Sequence, residues 1–70
     1  MKRRAIDFVV DASQTALVTQ TLRGAAGEAL ERLTIAPIDG TPRYKITALL
    51  ERNFAAAAMK AVMNALDKSG

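Results

Sequence analysis

Seventy residues contain no cysteine and no histidine. Lacking cysteine, the chain offers no disulfide, no thiolate nucleophile and no zinc–thiolate site. Lacking histidine, it is without the usual proton shuttle near neutral pH and the commonest metal ligand. Tryptophan is missing too, and one tyrosine and two phenylalanines make up the aromatic complement. No apolar run approaches the roughly 18 residues of a membrane span. The start, Met1-Lys2-Arg3-Arg4, is basic, but strand-like alternation including Asp7 follows it instead of the continuous apolar stretch of a signal peptide. A cytoplasmic protein with no membrane partner is expected.

Acidic groups are few and scattered: Asp7, Asp11, Glu28, Glu31, Asp39, Glu51 and Asp67. Two carboxylates can share acid–base work, but here no nucleophile, metal set or glycine-rich phosphate loop accompanies them. Capping, turn formation and surface charge account for each, so the sequence implies no catalytic residue, no metal and no cofactor, and thus no enzyme.

What is present suits one small domain spanning 1–70. Half the residues are apolar, enough for a single core at a size where only about 60% of the unfolded surface is buried on folding. The net charge of +3 has one source: of ten basic residues, three are Lys2, Arg3 and Arg4, leaving seven against seven acidic ones. A basic tail (1–4) therefore precedes the core (5–67), and the chain from residue 5 onward is neutral. Such a tail can touch phosphate or an acidic partner, though solvation alone explains it.

Five elements are legible. Ile6, Phe8 and Val10 alternate with Ala5, Asp7 and Val9, the period of a strand with one buried face. Asp11 or Ser13 can cap a following helix, in which Val18, Leu22 and Ala25 share a face with Leu17 beside them, and Gly24 and Gly27 end it. A second strand covers Glu31–Ile38, with Leu33 and Ile35 opposite Arg32 and Thr34, and Pro37 assigns it to a sheet edge. Asp39-Gly40 signals a hairpin turn, lengthened by Thr41-Pro42. The third strand, Arg43–Glu51, alternates Tyr44, Ile46, Ala48 and Leu50 with Arg43, Lys45, Thr47 and Leu49. A last helix begins at an Asn53 cap and runs to about Lys68, with Lys60, Asn64, Asp67 and Lys68 facing solvent and Ala55, Ala58, Met59, Val62 and Leu66 facing the core. Ser69-Gly70 reads as a frayed end.

The fold class is α+β: a ferredoxin-like β-α-β-β-α unit with a three-stranded antiparallel sheet, two helices on one face and the usual fourth strand absent. That absence leaves the first strand's edge open, and open edges attract partners. With Val9, Ala36 and Leu49 on the outer face, this points to a homodimer or to docking on a larger protein, and a Val10→Lys substitution is expected to break the assembly.

Two resemblances give the function a direction. Glu31-Arg-Leu-Thr-Ile-Ala-Pro, Asp39-Gly-Thr and Arg43-Tyr-Lys-Ile-Thr resemble the second and third strands of ACT domains, the amino-acid-sensing modules, and especially those of acetolactate synthase regulatory subunits. Phe8-Val-Val-Asp-Ala-Ser-Gln-Thr-Ala-Leu17 resembles that family's effector-holding strand, loop and helix, although Ser13-Gln14 stand where the family usually has Pro-Gly. The resemblance implies a non-catalytic regulatory module with an amino-acid effector at Asp11, Ser13 and Gln14, held partly by free N–H groups at the helix start. Gly24-Ala-Ala-Gly27 and the residues up to Leu33 resemble the GXXG loop and following helix of KH domains, which clamp single-stranded nucleic acid. An RNA-recognition-motif reading would need exposed aromatics, yet Phe8 and Tyr44 share parity with core positions and are expected to face inward.

Overall fold

The computed structural model describes residues 2–69. Strand β1 (Arg3–Asp11) is followed by helix α1 (Thr15–Ala26), strands β2 (Leu30–Pro37) and β3 (Arg43–Glu51), and helix α2 (Arg52–Ser69); short 3-10 turns at Ala12–Gln14 and Gly27–Ala29 link the first three. The three strands form one antiparallel sheet in the order β1-β3-β2. The chain is thus an α+β unit of three antiparallel strands and two helices. Among the described residues, no helix is long and apolar enough to cross a membrane.

Alternation along the strands sets the layers. Ile6 lies beside Ala48, which lies beside Leu33; Phe8, Ile46 and Ile35 form the next row. Ile6, Val10, Ile46, Ala48 and Leu50 on this face join Val18, Leu22 and Ala26 of α1 and Ala55, Ala58 and Val62 of α2 in a single core. One shared core on one parity of the strands places both helices on the same side of the sheet. α2 packs over β1 and β3, α1 over β2 and β3. Alanines at 48, 55 and 58, all buried, let α2 approach the sheet closely.

Several local expectations are corrected. Arg3 and Arg4 belong to β1, and the Lys2 carbonyl accepts a 2.9 Å bond from the Arg52 N–H, so the basic segment continues the sheet and is not a free tail; Met1 lies outside the described residues. The paired strand supplies partners for this backbone, which is why it orders despite its charge. Asn53 is not a cap: α2 starts one residue earlier, and Asn53 Nδ2 reaches Glu51 Oε1. Ala26, not Ala25, completes the buried stripe of α1. Ser69 is helical, and Gly70 lies outside the described residues.

The segment resembling a GXXG loop is mostly helix. Gly24 sits inside α1, and only Gly27 leaves it, at φ +54° and ψ −127°. After Gly27–Ala29 the chain enters β2 at Leu30, so no helix follows this segment. The two glycines should therefore respond oppositely to substitution. A Cβ at either meets nothing within 4 Å. Gly24→Ala is expected to stabilise by about 0.5–1 kcal/mol through helix propensity. Gly27→Ala should cost about 1–3 kcal/mol, the usual strain of a side chain in a glycine-only conformation. Paired thermal melts measure both.

Candidate interaction surface

The Asp11–Gln14 segment is where the ACT-domain resemblance implies an effector. Asp11 and Gln14 form a capping box, in which the Asp11 N–H donates to Gln14 Oε1 at 3.2 Å. The Asp11 carboxylate also lies 3.7 Å from Arg43 Nε, its neighbour on β3. Ser13 is exposed, and Thr15 Oγ1 donates to the Ala12 carbonyl at 3.0 Å. The three residues are brought together, but the polar groups of Asp11 and Gln14 are engaged in closing the strand-to-helix turn.

The outer face of the sheet is more polar than its apolar members suggested. In register, Val9 and Ala36 flank Lys45, Ala5 and Arg32 flank Leu49, and Asp7 and Thr34 flank Thr47 between them. Lys45 and the Asp7–Thr47–Thr34 row separate the apolar side chains, so no continuous apolar patch forms there. Thr47 Oγ1 donates to Asp7 Oδ1 at 2.8 Å, and Lys45 Nζ lies 3.9 Å from Asp7 Oδ2. Arg3 pairs with Glu31. Exposed ion pairs of this kind are worth at most about 1 kcal/mol each. Their directional effect matters more: the charged groups of Arg3, Asp7 and Asp11 are all drawn across the sheet, away from the free side of β1.

The two sheet edges differ. Along β2 the pairing slips between Leu30 and Arg32, a bulge at Glu31, and the strand ends at Pro37. Ile38 N–H donates to the Arg43 carbonyl at 3.0 Å; alternation of paired and unpaired positions in antiparallel strands then turns the backbone of Pro37 toward the open side, where its missing N–H does no harm. The β2 edge is thereby blunted. Along β1 the pairing with β3 is regular over all nine residues, with no proline and no bulge. The Lys2 carbonyl accepts from Arg52, so the even-numbered residues face β3. By the same alternation the N–H and C=O groups of Arg3, Ala5, Asp7, Val9 and Asp11 face outward. β1 is an edge strand, and of the contrast between the two edges the sequence carries one legible sign, Pro37.

Two recesses bear on these readings. One is lined by Arg23, Gly27, Leu30, Glu31, Arg32 and Leu33 beside the GXXG-like segment. Another, at the basic end, is lined by Lys2, Arg3, Glu28, Ala29, Glu31 and Glu51, where acidic and basic groups offset one another. Phe8 and Tyr44 are half-buried on the helix-facing side, and Phe8 packs against the core. Among the described residues no three acidic side chains cluster as a metal set. No family model, curated protein or solved structure matches this chain.

Proposed function

We propose that this chain is a non-catalytic docking module of the ACT-like, ferredoxin-like kind, in which a partner's strand adds to the sheet along β1. The observation that carries this reading is the regular nine-residue edge of β1, free of proline and bulge, opposite a β2 edge blunted by a bulge and Pro37. Natural sheets protect edges that must stay unpaired, and strand addition uses main-chain hydrogen bonds for affinity. A regulatory action follows when the partner has two states and the docked strand fits one better.

Proline tests the edge directly. Val9→Pro removes an outward N–H and leaves the β1–β3 ladder intact, so the fold is retained while docking weakens roughly tenfold, the equivalent of one hydrogen bond at about 1–1.5 kcal/mol. Phe8→Pro removes a donor that faces β3, and should destabilise the fold itself. Circular dichroism melts and amide exchange at Asp7 and Val9 separate the two. Full exposure of those amides in the assembled protein would exclude the edge.

An amino-acid effector at Asp11, Ser13 and Gln14 is the finer form of this reading. The N–H groups at the start of α1 would take its carboxylate and Asp11 its ammonium, displacing Arg43. A titration of isotope-labelled protein with branched-chain amino acids should then move the resonances of Asp11–Thr15. Movement confined to Arg23–Leu33 on adding single-stranded RNA would replace it with the KH-like alternative, which the cationic flanks Arg23 and Arg32 of the Gly27 recess support.

A further inference from the structure

The occupant that fits the β1 edge is a second copy of this chain. We infer that two β1 strands pair antiparallel about a two-fold axis at Asp7, producing a six-stranded sheet in the order β2-β3-β1-β1-β3-β2. This rests on the edge reading above and adds the identity of the partner and the register.

Self-pairing is possible because an antiparallel strand presents the same groups to its own two-fold copy. Outward-facing residues pair with outward-facing residues, so only a few registers exist. Centred on Asp7, all nine residues overlap. Arg3 lies opposite Asp11 of the second copy, and Asp11 opposite Arg3; Ala5 lies opposite Val9 in both directions. Val9, 53% exposed in the single chain, gains an apolar neighbour. On the helix-facing side Ile6 comes opposite Phe8, covering a ring that the single chain leaves half-buried. Moving the axis to Ile6 sets Arg3 against Val9 and Ala5 against Asp7. Moving it to Phe8 sets Ala5 against Asp11 and Asp7 against Val9. Either shift shortens the ladder by two residues, loses both opposite-charge pairs and places carboxylates against alkyl groups. Arg3 and Asp11 already pair within the chain with Glu31 and Arg43, so their attraction across the axis adds little. The Asp7-centred register is favoured chiefly by its full nine-residue overlap and its Ala5–Val9 and Ile6–Phe8 neighbours.

The one repulsive pair is Asp7 with itself. Each carboxylate is held by its own Thr47 at 2.8 Å and lies near Lys45, both on the inner side of β1. The repulsion is reduced but not removed, and it supplies a signature. Of the exposed large apolar side chains among the described residues, Val9 is on β1 and Phe54 and Met63 are on α2, the helix over it, whereas Ile35 lies on the blunted β2 side.

Sedimentation of the full chain, with amide exchange on the same sample, is the test. A dimer with slow exchange at Asp7 and Val9 is expected. Asp7→Asn should dimerise about fivefold more tightly, the effect of removing a directly opposed like-charge pair. Asp7→Cys should oxidise to a covalent dimer, since paired Cα atoms about 5.5 Å apart suit a disulfide, whereas Ala5→Cys alone should not. Covalent dimer from Ala5→Cys and none from Asp7→Cys would overturn the register. A chain that stays monomeric at several hundred micromolar overturns the second copy while leaving the edge open to another partner. A dimer whose Asp7 and Val9 amides exchange freely overturns both the second copy at β1 and the edge reading.

Discussion

Leu22→Ala is expected to lower stability by about 2–5 kcal/mol, the range for truncating a buried leucine. Leu22 is fully buried and among the largest side chains that are. It sits between Val18 and Ala26 on the stripe of α1 that meets the sheet and α2. Ala26, Ala48, Ala55 and Ala58 of the same core have no rotamer with which to fill the void. A domain of this length is stable by roughly 3.5–10 kcal/mol, so one substitution removes a large share. Thermal unfolding should shift down by roughly 8–40 °C, taking about 4–8 °C per kcal/mol for this size. Met63→Ala, at a position 63% exposed, should change stability by no more than about 0.5 kcal/mol. Equal shifts for the two would mean that the core does not lie where the packing places it.

Val10→Lys should abolish folding, and Val9→Lys should not. Val10 is only 4% exposed and faces the helices. An ammonium there loses water with no acidic partner inside, since no polar or charged side chain is buried among the described residues. The cost is several kcal/mol, relieved only in part if the lysine becomes neutral. The alternation of β1 already assigned Val10 to the buried side, so the substitution tests the core and not the edge. Val9 is the informative position: its side chain is on the outer face and its backbone faces the open side. A lysine at Val9 stands beside Lys45, a like-charge cost of about 0.2–1 kcal/mol, which the fold tolerates. Edge lysines discourage strand addition, so the variant should be folded and unassembled. Circular dichroism with sedimentation on both variants decides this; a folded, fully assembled Val9→Lys protein would remove β1 from the interface.

The candidate surface was partly legible. Asp11, Ser13 and Gln14 do cluster, because helix-capping residues read clearly in sequence. Their use in a cap became visible only when the Asp11 N–H was seen bonded to Gln14 Oε1 and its carboxylate beside Arg43, 32 positions away in the chain. Likewise Val9, Ala36 and Leu49 share the outer face as parity requires, but whether they touch depends on register. The register puts Lys45 between Val9 and Ala36, and no local rule could supply that.

Local physics is written along this chain in repeating steps. Alternation at Ile6-Phe8-Val10 and Tyr44-Ile46-Ala48-Leu50 makes strands with a chosen inner face, because successive side chains in extended backbone point to opposite sides. The spacing of Val18 and Leu22, and of Ala55, Ala58 and Val62, makes helices with one buried stripe. Asp39-Gly40 makes the reversal: Gly40 takes φ +77° and the Thr41 N–H closes on the Ile38 carbonyl. By itself the sequence determined these elements and which side of each is buried. Tertiary structure decided which strand lies between the other two, the order of Arg3 and Arg4 within β1, and the difference between a blunted and an open edge. Those depend on pairings between residues far apart in sequence, whose free energy exists only after the chain has closed on itself.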